Sequence, residues 1–317
     1  MRASPGAYDF CGVAVASDRP LPDLRRRASA DAECSIATAR HAPPAAPSAW
    51  LQQWRLPGGR LWLSIGRVPE GYLLRFRDQA DFVVSRDGRR IEVHPDAGLP
   101  EATLRHLLID QVLPLALSRC GRLSLHGSAV HLPGIGTVGF LGNTGRGKST
   151  LAAALAARGG RIVTDDCLAI DFVDGAPYAV PGYPGLRLWP GLGANPVLRA
   201  APSSRVAHYS QKRRVHRGAL PFHGRKSRLR ALFVLSARAA GGAPAAIRRF
   251  GPAPARLTGL LRFAYVLDIE DRAAQARLFD GLVALTTAVP VLRLRLRHGH
   301  SRLPDAADLI RAYTQSA

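Results

Sequence analysis

The 317-residue chain is 47% hydrophobic and 21% charged, with a formal net charge of +21 at pH 7. That supplies one large core, or a small domain beside a larger one, and no apolar run approaches the roughly 20 residues a membrane span requires. Lysine occurs only at Lys148, Lys212 and Lys226 among 44 basic residues, so the charge reflects an arginine-favouring, GC-rich coding bias and calls for no nucleic-acid partner. A lysine kept against that bias marks a place where a compact ammonium is wanted.

The N-terminal stretch "MRASPGAYDFCGVAVAS" is interrupted by Asp9 and reads as an edge strand rather than a secretory signal. Cys11, Cys34, Cys120 and Cys167 lie far apart, with no CxxC pair and no histidine at zinc spacing, which fits a reducing cytoplasm. Up to about residue 98, runs such as "RLWLSIGRV", "GYLLRFRD", "ADFVVSRD" and "RRIEVHPD" alternate in part and are separated by Gly, Asp and Pro, predicting a meander of antiparallel strands. "HAPPAAPSA" (41–49) is a connector. "PEATLRHLLIDQVLPLALSRCG" predicts a helix, with Leu104, Leu107, Leu108 and Val112 on one face and Gly121 closing it.

From "LSLHGSAVHL" onward the pattern becomes strand–loop–helix. "TVGFL" is a buried strand, "KSTLAAALAARGG" a helix ended by Gly159, and "RIVTDD" the next strand. "CLAIDFVDGAPYAV" forms a hairpin turning at Asp174–Gly175, and "LRALFVLSA" is a further buried strand. "DRAAQARLFDGLVALTTAV" is a helix, "PVLRLRLR" a strand and "LPDAADLIRAYTQ" a closing helix. The fold class is therefore α/β: a β-rich N-terminal domain (1–98) followed by a P-loop α/β domain (99–317).

Gly142, Asn143, Thr144, Gly145, Arg146, Gly147, Lys148 and Ser149 fit G-x-x-x-x-G-K-[ST] in full, between a strand and a helix, with Thr150 next. In such a loop backbone N–H groups cradle phosphate, the lysine reaches the terminal phosphates and the serine hydroxyl ligates Mg²⁺. Asp165 and Asp166 close the strand after the P-loop helix; a neighbouring parallel strand would bring them to the phosphate's edge of the sheet. One carboxylate suits Mg²⁺ and the other suits proton transfer from an attacking hydroxyl. Neither the N-K-x-D guanine-reading motif nor the S-G-G-Q transporter signature occurs.

Residues 125–170, "LHGSAVHLPGIGTVGFLGNTGRGKSTLAAALAARGGRIVTDDCLAI", resemble the catalytic domain of the HPr kinase/phosphorylase family: a His-Gly strand, the P-loop, a helix ending in Arg-Gly and a strand ending in Asp-Asp. "YPGLRLWP" and "VPVLRLRLRHGHSRLPDAADLI" look more like a divergent branch that includes serine kinases of lasso-type precursor peptides. The resemblance is tight over residues 125–170, loose over about 100–315 and vague in the N-terminal domain. It implies a kinase domain of the HPr kinase C-terminal/PEP carboxykinase-like type, using ATP and Mg²⁺. It further implies Lys148 on the transferring phosphate, Ser149 and Asp165 at the metal, Asp166 as base and His126 near the phosphates. The implied partner is a precursor peptide or small protein bearing an acceptor serine, and a homo-oligomer accords with the family. Where regulatory members carry a second metal-binding glutamate, this chain reads "YPGLRLWPGLG" with no carboxylate, which argues against phosphorylase activity.

Residues 203–230 carry nine Lys/Arg and no acid. They read either as a solvated loop or as a basic finger in which Lys212, Arg213 or Arg214 reaches the nucleotide. Aromatics are too few there for base stacking. Two other functions stay open: a nucleotide-switched ATPase that gates a peptide-handling complex, and a kinase of a small-molecule hydroxyl.

Overall fold

The computed structural model describes residues 6–28, 31–56, 58–190, 201–237, 245–296 and 303–316. Residues 191–193 of "YPGLRLWPGLG" and 297–302 of the C-terminal motif lie outside that set. The fold is mixed α/β and rich in sheet, and the chain divides into two compact units. The first comprises residues 1–122, 207–209 and 265–278; the second comprises 123–206, 210–264 and 279–317. The division thus falls at 122/123, with the helical segment after residue 98 grouped with the N-terminal strands.

Among its described residues the first unit has nine strands: β1 (Gly6–Phe10), β2 (Val13–Ser17), β3 (Arg25–Arg26), β4 (Cys34–Thr38), β5 (Gln52–Arg55), β6 (Leu61–Val68), β7 (Gly71–Phe76), β8 (Ala80–Ser85) and β9 (Arg90–Pro95). Their order in the sheet is β3-β1-β2-β4-β9-β8-β7-β6-β5. The expected antiparallel meander holds from β5 to β9, whereas β2, β4 and β9 pair in parallel. The N-terminal stretch is not one edge strand. It turns back at Cys11–Gly12, both at positive φ, and the short β3 forms the edge beyond β1. Leu73 and Val83 sit opposite each other across β7 and β8, and Trp50, at the end of the Pro/Ala connector, packs over them and Val68.

The predicted single helix is interrupted. Between α1 (Glu101–Leu107) and α2 (Leu113–Arg119) residues Leu108–Val112 wind as a π-helix. Pro114 has no N–H to bond the carbonyl four residues back, and its ring crowds that carbonyl, so the turn before it widens. The apolar face survives: Leu104, Leu107, Leu108 and Val112 are all buried. Buried Asp268 is one of the residues that tie 265–278 to this unit. Its carboxylate accepts from Arg67 Nε (3.0 Å) and Nη2 (2.8 Å) and from the Tyr72 hydroxyl (2.9 Å). Nearby, Arg119 Nη1 pairs with Asp271 at 2.7 Å.

In the second unit the strands are β10 (Leu123–Leu132), β11 (Gly136–Leu141), β12 (Arg161–Thr164), β13 (Cys167–Val173), β14 (Ala176–Ala179), β15 (Leu186–Leu188), β16 (Ser203–Arg205), β17 (Arg213–Val215), β18 (Ser227–Ala237), β19 (Ala245–Arg249) and β20 (Val291–Leu296). β11 pairs in parallel with β18, which pairs in parallel with β20. The pairings β11-β10-β13-β14-β18 close on themselves through β18–β11. β15, β17 and β16 form a small separate sheet. The hairpin at Asp174–Gly175 is present, both residues at positive φ.

The helices here are α3 (Lys148–Ala156), α4 (Ala253–Leu261), α5 (Arg272–Ala288, its first residues in the first unit) and α6 (Leu303–Ser316). Leu151 and Leu155 of α3, Phe140 of β11, Phe233 of β18 and Ile310 of α6 share one buried core. None of the described helices is long and apolar enough to cross a membrane.

Candidate active site

The site begins with the strand-to-helix turn. β11 is buried almost throughout, Gly142 leaves it, and Gly145 and Gly147 take φ of 82° and 92° before α3 starts. Residues in that left-handed region favour glycine, which has no Cβ to clash. Asn143, Thr144, Gly145 and Arg146 form the exposed crest, and Arg146 N–H bonds the Asn143 carbonyl at 3.1 Å. Thr150 lies half-buried on the first turn of α3. The free N–H groups of that turn, with the helix dipole behind them, make an anion-attracting end.

Lys148 is only 6% exposed. Its Nζ donates to the Gly142 carbonyl at 2.7 Å and lies 3.1 Å from His126 Nε2. Burial lowers the pKa of both groups, and each is further affected by neighbouring charge; His126 falls to about 4, with Lys148 the next cause after burial. A neutral imidazole whose Nε2 accepts from the ammonium fits the lowered His126 pKa.

β10 explains how His126 arrives there. The strand lies between β11 and β12 and is antiparallel to both, so their carboxyl ends emerge at the same edge although they do not pair. The expected direct neighbour of the P-loop strand is therefore replaced by β10, which adds side chains of its own. His126 and Ser128 are two residues apart on it and share a face. Gly127 between them is required by close packing: a Cβ there would lie 2.8 Å from the Phe140 carbonyl oxygen and 2.6 Å from Leu141 Cδ2.

Asp165 and Asp166 do not continue a strand. Cys167 N–H bonds back to the Asp165 carbonyl at 2.9 Å, and Asp166, between them, has a φ of 64°. This is a γ-turn of the rare positive-φ kind, a strained conformation of the sort found at functional sites. Asp165 is buried and its Oδ1 accepts from Ser149 Oγ at 2.8 Å and Ser128 Oγ at 2.5 Å, while Oδ2 accepts the Arg187 N–H at 2.8 Å. Burial, then the charge of Asp166, pushes the Asp165 pKa up. Burial acts likewise on Asp166, but Arg187, Lys212, His126 and Lys148 outweigh it and hold that carboxyl below the usual range. Two adjacent carboxyls are thus driven apart in acidity, a pattern of divided roles. The Ser149 hydroxyl and Asp165 carboxylate are hard oxygen donors of the kind Mg²⁺ takes, and they already touch.

Sequence reasoning missed Arg187, Tyr183 and Ser128. Arg187, on β15, is almost fully buried; its Nε lies 3.6 Å from Asp166 Oδ2 and its guanidinium stands 4.1 Å over the Tyr183 ring. The His126-x-Ser128 alternation was a legible signal for Ser128; nothing local marked Arg187.

The basic segment divides. Lys212 influences Asp166, His126 and Lys148, and its Nζ lies 5.8 Å from the Trp189 ring centre. Arg213 is turned outward, bonded to Ser203 Oγ (2.9 Å) and the Ser203 carbonyl (2.7 Å). Arg214 is buried on β17 opposite Arg187 of β15, so it has no freedom to swing over a ligand.

No protein-family model matches the chain, and no curated protein matches it. Among solved structures it is similar to the HPr(Ser) kinase/phosphatase from Coxiella burnetii, at 10% identity and a TM-score of 0.30, over 61% of this chain and 97% of that one. The likeness is distant.

Proposed function

We propose that this protein is a kinase that transfers the γ-phosphoryl group of ATP to a serine hydroxyl of a peptide or small protein. The observation that carries the reading is the 2.8 Å bond from Ser149 Oγ to Asp165, with Asp166 next to it in a strained turn beside Lys148 and His126. A carboxylate base beside the metal ligand favours a hydroxyl acceptor over the water-positioning glutamine of switch-type P-loop proteins.

In this reading the P-loop N–H groups and Lys148 bind the β- and γ-phosphates. Ser149 and Asp165 would hold Mg²⁺, which when bound neutralises phosphate charge. Asp166 takes the serine proton as the serine oxygen bonds the γ-phosphorus; the bond to the β–γ bridging oxygen breaks and ADP leaves. Lys212 and Arg187 offset negative charge around the transferring group, and neutral His126 accepts from Lys148 and fixes its ammonium. The low basicity of Asp166 suits a loose transition state, in which positioning and charge carry most of the catalysis. The sequence resemblance supplies the acceptor, a serine of a lasso-type precursor peptide.

The test is intact-mass spectrometry of candidate precursor peptides after incubation with ATP and Mg²⁺, wild type beside Asp166→Asn and Lys148→Ala. A gain of one phosphoryl mass on a peptide, lost in both variants, supports the reading. ATP consumption with no mass gain on any peptide overturns it in favour of an ATPase or a small-molecule kinase.

A further inference from the structure

The first unit carries a cluster of a different kind. Glu92 and His94 are two residues apart on β9, so their side chains leave the same face of the sheet. β4 runs parallel beside β9, with Thr38 opposite Val93 and Ala39 N–H bonded to the Val93 carbonyl at 3.0 Å, which brings His41 alongside. His41 Nε2 lies 3.6 Å and His94 Nε2 3.8 Å from Glu92 Oε2. One ligating atom from each residue falls within 4.8 Å of the other two.

Hydrogen bonding decides what those atoms offer. His94 Nδ1 lies 3.2 Å from the His41 carbonyl oxygen, and His41 Nδ1 lies 3.0 Å from the Ala42 carbonyl oxygen. A carbonyl only accepts, so in each neutral ring Nδ1 carries the hydrogen and Nε2 keeps its lone pair. Both lone pairs therefore face a carboxylate, another acceptor. The His94 side chain is only 6% exposed, and its buried Nε2 has no hydrogen-bond partner. Three acceptors converge, and among the described residues the buried one, His94 Nε2, has no donor answering it. A divalent cation satisfies all three at once.

We propose that His41, Glu92 and His94 form a binding site for a divalent transition metal, with zinc the best chemical match. Imidazole nitrogens select such metals over Mg²⁺ or Ca²⁺. Bonds of about 2.0–2.1 Å in a tetrahedral site place ligand atoms roughly 3.3 Å apart, so the observed separations close with small rotations of His41 and Glu92, both substantially exposed. The two Nδ1–H···O=C bonds are the outer contacts that orient metal-binding histidines. The exposed side leaves a fourth position for water. None of these residues belongs to the phosphate site, so the proposal is independent of the kinase reading.

The test is titration of the chelator-stripped full-length protein with Co²⁺, read by its visible absorption, followed by displacement with Zn²⁺. Wild type is run beside His41→Ala and Glu92→Gln, which alter exposed side chains and spare the buried ring. The expected result is one equivalent bound by wild type with the absorption of a tetrahedral site, weakened about 10-fold or more in each variant. Absence of saturable uptake by wild type, or uptake unchanged in both variants, overturns the proposal.

Discussion

Arg187 and Asp166 face each other at 3.6 Å, Nε to Oδ2, with the guanidinium stacked on Tyr183 and almost wholly withdrawn from solvent. The same residue's backbone N–H bonds Asp165. One arginine therefore touches both carboxylates in different ways: through its peptide it orients the proposed metal ligand, and through its charge it sets the acidity of the proposed base.

Replacing Arg187 with Gln should raise the Asp166 pKa. A base is active when deprotonated, so the acidic limb of the kcat/KM–pH profile should move toward neutral pH by about one unit or more. Arg187→Lys should keep most of the charge and move the limb less. A purely structural role predicts lower rates with the limb unmoved in both variants.

His126 gives a stability prediction. Its folded pKa is about 4 against an ordinary 6.5, so the unfolded chain binds a proton first as pH falls. The two states are equal in this respect above pH 6.5, and stability drains between pH 6.5 and about 4, by roughly 3 kcal/mol at the lower end. Urea denaturation of His126→Gln across that window should show a flatter pH dependence than wild type.

Gly127→Ala should destabilise the protein by about 1–3 kcal/mol, because the added methyl meets a backbone carbonyl that cannot give way. Denaturant melts measure the loss. A cost near zero would mean that β10 and β11 separate more easily than their packing indicates.

Asp268→Ala should cost about 2 kcal/mol. The Tyr72 hydroxyl loses its buried acceptor and Arg67 loses its bidentate partner. Hydrogen exchange should show residues 265–278 losing protection first.

Much of the geometry of the candidate site was legible because the glycine-rich turn and its helix are local in sequence. The spacing from Gly142 to Ser149 dictates a turn, a helix end and a lysine position, and an Asp-Asp pair soon after implies nearby acids. What was not legible depends on non-local pairing. Only the register of β10 against both β11 and β12 brings Ser128 to Asp165. Likewise Arg213 and Arg214 look alike in a charge run, and the small sheet turns one outward and buries the other. The helical periodicity after Pro100 was correct, but it could not weigh Pro114 against the helix it interrupts.

The first unit is assembled from residues 1–122, 207–209 and 265–278, and this has a consequence for synthesis. Nascent chains fold from the N-terminus as segments leave the ribosome. Here the nine-stranded sheet emerges early, with Arg67, Tyr72 and Arg119 awaiting acceptors encoded some 150–200 residues later. The part translated first is thus completed late, and a chain terminated anywhere between residues 122 and 278 yields neither unit whole.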